Sequence, residues 1–223
     1  APWLFNDFAH VERVLESSLA QTWNADLEKT RGVRVLMAYP RAARQMTNSK
    51  RPIRVPDDLK GLKLRVPEIP ILFNAFKELG AEPVAMNFGE VYTALQSGTI
   101  EGQENPLPTI VGFSLQEVQK FISLTEHVRA PEFIYVNARW WKALDSRVRD
   151  LLTTLFAEGK KVAAQAIMSQ QQSNIDTIKK AGASINEVDV AAFRAKAKPI
   201  LDRIGPQYLG ADTYSAIVRA GQQ

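Results

Sequence analysis

Apolar and polar residues alternate along the chain with two different periods. Leu62, Leu64 and Val66 interleave with Lys63 and Arg65, the pattern of a short strand with one buried face. Pro67 cannot extend a central strand and marks its end. Residues 33–37, 83–86 and 99–103 read as further short strands, and residues 133–136, rich in β-branched and aromatic side chains, as a strong one. Helical spacing takes over at Phe8, Val11, Leu15 and Leu19, with Asn6 or Asp7 as cap, and in residues 71–79, 89–96 and 193–204. Gly80 suits a left-handed helix end. The longest periodic segment is residues 145–181, where Val148, Leu151, Leu155, Val162, Ile175 and Ile178 keep one stripe without a proline. A helix of that length spans about 55 Å, more than one small domain, so it is expected to cross two. Residues 40–58, with three prolines and many basic side chains, read as irregular, residues 118–124 as short and mixed, and Asn105-Pro106 as a turn. The strand–helix alternation predicts an α/β fold with a mainly parallel sheet.

Composition narrows the function classes. The 223 residues are 45% hydrophobic and 23% charged, a globular mix, with a net charge of +4. Arg41, Arg44, Lys50, Arg51, Arg54, Lys60, Lys63 and Arg65 bunch together, but no aromatic residues interleave with them as a nucleic-acid stacking platform requires. The absence of cysteine excludes disulfides and thiolate chemistry. No apolar run reaches the length of a membrane span, so the chain is not expected to cross one. His10 and His127 stand in no metal-binding spacing, and no nucleophile elbow, phosphate loop or dinucleotide turn occurs. No catalytic residue, metal or cofactor is therefore expected.

One basic residue has a more definite place. Arg65 lies near the C-terminal end of its strand, the edge at which open α/β sheets bind ligands. Its planar fork matches a carboxylate through two parallel hydrogen bonds. Phe88, at a strand exit, is either core or an apolar wall for a ligand's carbon skeleton. Asn105 either donates its amide to a carboxylate or shapes the Asn-Pro turn.

Four segments in order, Gly-Leu-Lys-Leu-Arg-Val-Pro (residues 61–67), Glu-Val-Tyr-Thr-Ala-Leu-Gln (90–96), Gly-Gln-Glu-Asn-Pro (102–106) and Glu-Val-Gln-Lys (117–120), resemble the solute-binding proteins of tripartite ATP-independent periplasmic (TRAP) transporters. The long helix after Trp140-Trp141 is similar to that family's domain-spanning helix. The resemblance implies two α/β domains of the type II periplasmic-binding class, hinged around a cleft that closes on an organic acid. Domain I would comprise residues 1–42 and 131–170 and lack its N-terminal part, with the export leader, and domain II residues 43–130 and 171–223. Whether the chain folds alone is then in question, since a partial domain leaves sheet edges open. The resemblance places Arg65 on the principal carboxylate-binding arginine and Arg44 on a second ligand-side arginine. It places Phe88 on the aromatic wall and Asn105 on the carboxylate-binding amide. Arg44, Glu104 and His127 match a charged trio that links structure on closure.

Glu68, just past the Arg65 strand, and Glu132, at another cleft-lining position, would accept hydrogen bonds from hydroxyls and repel a second negative charge. A sugar acid such as a hexuronate is thus favoured over a C4-dicarboxylate. The expected partners are this ligand and the membrane subunits of the transporter, and the expected location is the periplasm. The rival reading is an enzyme acting on small organic acids, with Glu101, Glu104 or His127 as its base.

Overall fold

A computed structural model describes residues 1–222. Asp7 caps α1 (Phe8–Glu16) by accepting from the His10 N–H. Ser17 then turns the chain into α2 (Ser18–Arg31), so the helical pattern of residues 8–19 covers two helices, not one. Gly32, with φ +65°, ends α2 and leads into β1 (Val33–Pro40). β2 (Arg44–Asn48), β3 (Lys63–Val66), α3 (Pro70–Glu78) and β4 (Glu82–Ala85) follow. A 3-10 turn at Phe88–Glu90 opens α4 (Val91–Gln96), and β5 (Gly102–Pro106) runs directly into α5 (Leu107–Gly112). β6 (Phe121–Val128), β7 (Pro131–Asn137), α6 (Ala138–Ala143), α7 (Ser146–Lys180), β8 (Ser184–Glu187), α8 (Val190–Leu209) and α9 (Ala211–Ala220) complete the chain.

Six strands form one sheet in the order β4-β3-β5-β2-β6-β8. β3 runs parallel to β4 and β5, and β6 parallel to β8, but β2 is antiparallel to both of its neighbours. The sheet is therefore mixed, with three parallel ladders and two antiparallel ones. The cause is β2 itself, which lies at the centre of the sheet where an irregular segment was expected. Its side chains are polar apart from Met46, yet Gln45, Thr47 and Asn48 are buried. Hydrogen bonds substitute for apolar character, so no period-2 signal exists. Residues 118–124 likewise overlap a full strand, β6, and Asn105 sits inside β5 instead of in a turn.

The two faces of this sheet are packed separately. Leu62, Leu64, Val66 and Met46 meet Phe76 of α3 and Phe193 of α8 on one side. On the other, Ile100, Leu107, Ile110 and Ile122 meet Val91, Leu95 and Ile178 of α4 and α7. β1 and β7 make a separate antiparallel pair. The chain passes between the two sheets at residues 41–43 and 129–130, where the Arg41 N–H donates to the Ala130 carbonyl at 3.2 Å. The 35-residue α7 packs on β1 at one end and on α5 and β8 at the other.

Candidate functional site

Three parallel strands point their C-terminal ends at one sheet edge. Arg65 is the penultimate residue of β3, Asn105 the penultimate residue of β5, and Met86 follows β4. Arg65 is in register with Gln103, so both side chains stand on the α4 face of the sheet, as does Asn105 two residues on. β2 runs the other way, which brings its first residue, Arg44, opposite Pro106 at the same edge.

Arg65 is only 4% exposed. Its Nε and one Nη both donate to the Met86 carbonyl, at 2.9 and 2.5 Å. The Phe88 ring lies 5.7 Å from the guanidinium carbon, in cation–π range, and is braced edge-on by Phe113 at 4.7 Å. Among the described residues Arg65 has no carboxylate partner. Burial holds its pKa below the ordinary arginine value, with Glu104 opposing that effect and Arg44 adding to it. The group stays charged, so the edge holds a desolvated cation without a counter-ion.

Arg44 is treated differently. It donates to both carboxylate oxygens of Glu104, to the Glu104 carbonyl and, at 3.0 Å, to Asn105 Oδ1. Glu104 is fully buried, and His127 Nε2 lies 2.8 Å from it. Burial works to raise the Glu104 pKa, but the hydrogen bond from His127 and the Arg44 charge outweigh it and hold the group below the usual carboxylate range. Burial pushes the His127 pKa down against the raising pull of Glu104. The ring is thus neutral, with Nε2–H donating to Glu104 and Nδ1 accepting from Thr125 at 2.8 Å. The trio accordingly carries two charges where the resemblance implies three.

The structure gathers Arg65, Arg44, Asn105, Phe88, Glu104 and His127 at one edge. Glu68 is exposed just beyond β3, near enough for its charge to act on Arg65. Glu132 is elsewhere engaged: it sits on β7 and forms an ion pair with Arg41 at 3.0 Å. Sequence reasoning missed the Met86 carbonyl, Phe113 and the buried pair Thr47 and Gln103. Gln103 could have been found from its period-2 spacing with Asn105; Phe113 carries no such signal. Among the described residues no cluster could hold a metal ion, and no helix is long and apolar enough to cross a membrane.

The family model for the bacterial extracellular solute-binding proteins of family 7, DctP, matches residues 1–207. The chain belongs to this family. Among relatives of this DctP-family chain, the 2,3-diketo-L-gulonate-binding periplasmic protein YiaO of Escherichia coli K12 is 36% identical over 193 residues, 86% of this chain and 58% of its own length. The sialic acid-binding periplasmic protein SiaP of Vibrio cholerae is 32% identical over 199 residues, 89% of this chain and 62% of its own. A TRAP periplasmic solute-binding protein from Chromohalobacter salexigens, solved with bound D-glucuronate, superposes with a TM-score of 0.89 at 29% identity, covering 98% of this chain and 73% of that one. The DctP-family chain spans about 60% of the length of the two curated relatives.

A separate cavity lies away from Arg65. It encloses about 720 Å³ between α1, α2, β1, β7 and α7 and is lined mainly by apolar groups such as Trp23, Val35, Met37, Phe133 and Phe156. Its polar lining residues, among them Asn24, Thr153 and Lys160, include no arginine.

Proposed function

We propose that this protein captures a small sugar acid of the hexuronate class by its carboxylate and delivers it to the membrane subunits of a TRAP transporter in the periplasm. The observation that carries this reading is the buried Arg65 fork without a protein counter-ion. A buried unpaired charge costs several kcal/mol, which an incoming carboxylate offsets. Asn105 adds an amide donor and Phe88 an apolar wall. Two relatives named for sugar-acid ligands and one solved with D-glucuronate support the ligand class. Glu68 opposes a second negative charge, which favours a monocarboxylate rich in hydroxyls over a C4-dicarboxylate. Glu132, held by Arg41, is left out of the ligand set.

The domain reading follows the same line. Residues 1–42 with 131–170, and 43–130 with 171–223, make two lobes that close by bending at residues 41–43 and 129–130 and along α7, with Trp3, Leu4 and Val14 reaching across to pack on α3, α8 and α9 of the second. Arg44, Glu104 and His127 lie where such a bend would act.

Titration calorimetry with D-glucuronate, D-galacturonate, gluconate, succinate and malate tests the proposal. Micromolar binding of a sugar acid, recovered chemically unchanged, is the expected result. Tight binding of succinate with no response to any sugar acid would reverse the ligand class, and turnover would favour the enzyme reading.

A further inference from the structure

Asn105 is held by a one-way chain of buried hydrogen bonds. Gln119 Nε2 donates to the Val118 carbonyl at 3.0 Å, which can only accept. Gln119 must therefore turn its Oε1 to Thr47, whose hydroxyl donates to it at 2.7 Å. The Thr47 oxygen then accepts from Gln103 Nε2 at 3.0 Å, which leaves Gln103 Oε1 to accept from Asn105 Nδ2 at 2.6 Å. At the far end Arg44, which can only donate, meets Asn105 Oδ1 at 3.0 Å. The chain is pinned by a pure acceptor at one end and a pure donor at the other, and both ends demand the same polarity. Thr47 and Gln103 are fully buried, Gln119 is 3% and Asn105 4% exposed, so water cannot readily reverse any member. Among the described residues the second Nδ2 proton of Asn105 has no partner.

We infer that Thr47, Gln103 and Gln119 are positioning residues that fix the Asn105 amide with its oxygen on Arg44 and its nitrogen on the side of Gln103, the register partner of Arg65, so that Asn105 adds a donor to those of Arg65 and the pair selects a carboxylate over its neutral amide. The inference rests on the reading of that edge as the ligand site. A flipped Asn105 would present an acceptor beside Arg65. It would repel a carboxylate oxygen and accept from an amide NH₂, eroding the discrimination that the arginine supplies.

Thr47→Val keeps the shape but neither donates nor accepts, and Thr47→Ser restores both functions. Calorimetry with D-glucuronate and D-glucuronamide reads the effect. Thr47→Val is expected to weaken D-glucuronate about five- to tenfold, the loss of one net hydrogen bond, and to narrow the acid-over-amide ratio, while Thr47→Ser stays near wild type in both. Gln119→Met, which cuts the chain two links from Asn105, is the second variant should Thr47→Val fail to fold, with the same expectation. Wild-type binding that disappears in Arg65→Ala, together with an unchanged ratio in a folded chain-breaking variant, overturns the relay and leaves the site reading standing. A wild-type protein with no Arg65-dependent binding of D-glucuronate overturns both.

Discussion

Replacing Arg65 tests the site most directly. Its Nε edge is spent on the Met86 carbonyl, so the ligand must use the remaining Nη protons end-on. Two charge-assisted hydrogen bonds contribute about 1.5–3 kcal/mol each, or roughly 3–6 kcal/mol together. At about 1.4 kcal/mol per tenfold, Arg65→Ala should weaken sugar-acid binding by roughly 10²- to 10⁴-fold. Lys at this position keeps the charge but not the fork, so Arg65→Lys should fall between, at roughly 10- to 100-fold, the loss of one of the two bonds. Because the group is buried, the effect should change little between low and moderate salt, unlike that of a surface charge. Calorimetry supplies the affinities, and thermal unfolding without ligand checks that each variant is folded. A folded Arg65→Ala protein that binds within threefold of wild type would refute the reasoning: the fork would then be a brace for the Met86 loop and nothing more.

Phe88→Ala removes the ring 5.7 Å from Arg65 and should weaken binding by about 0.5–2 kcal/mol, clearly less than Arg65→Ala; calorimetry on both variants orders them. Gly102→Ala would set a Cβ 2.3 Å from the Thr47 carbonyl and 2.9 Å from Asn48 Cβ, prising β5 from β2; it should cost about 1–3 kcal/mol or more, read as a lowered urea midpoint. His127 and Glu104 are both held below their ordinary pKa values, so the unfolded chain takes up protons first as pH falls. The stability this pair contributes is then complete above the ordinary histidine value of 6.5 and drops below it at up to about 1.4 kcal/mol per pH unit for one proton. His127→Gln, which can still donate to Glu104, should flatten the slope just below that value while leaving the carboxylate-driven loss at lower pH; an unaltered slope in urea titrations would rule the histidine out as its source.

What could be read in the sequence was what local periodicity encodes. Leu62, Leu64 and Val66 announce β3, and the uninterrupted stripe of residues 145–181 announces α7, because their burial is apolar and repeats along the chain. β2 was invisible because its burial is decided at a distance. Thr47 is held by Gln103 and Gln119, 56 and 72 residues away in sequence, and no local pattern records that. Asn105 was misread for a related reason. Pro106 suggests a turn, but it falls at the last position of β5, opposite Arg44, where the strand needs no further donor before α5 begins.

The same distinction separates the two arginines. Sequence placed both at the ligand, and nothing local tells them apart. The structure does, through Glu104, which faces the opposite side of β5 from Gln103 and Asn105 and so can reach Arg44 and His127 but makes no bond to Arg65. Glu104 cancels the Arg44 charge, and the neutral His127 adds none. The edge is therefore left with the charge of one arginine, which under the proposed reading a single carboxylate would match. A dicarboxylate would bring a second charge to an edge that has already used its other cation, with Glu68 standing outside to repel it. The preference for one negative charge that we propose would thus follow from strand alternation in β5: moving the acid by one residue would put it beside Arg65 and leave Arg44 as the open cation.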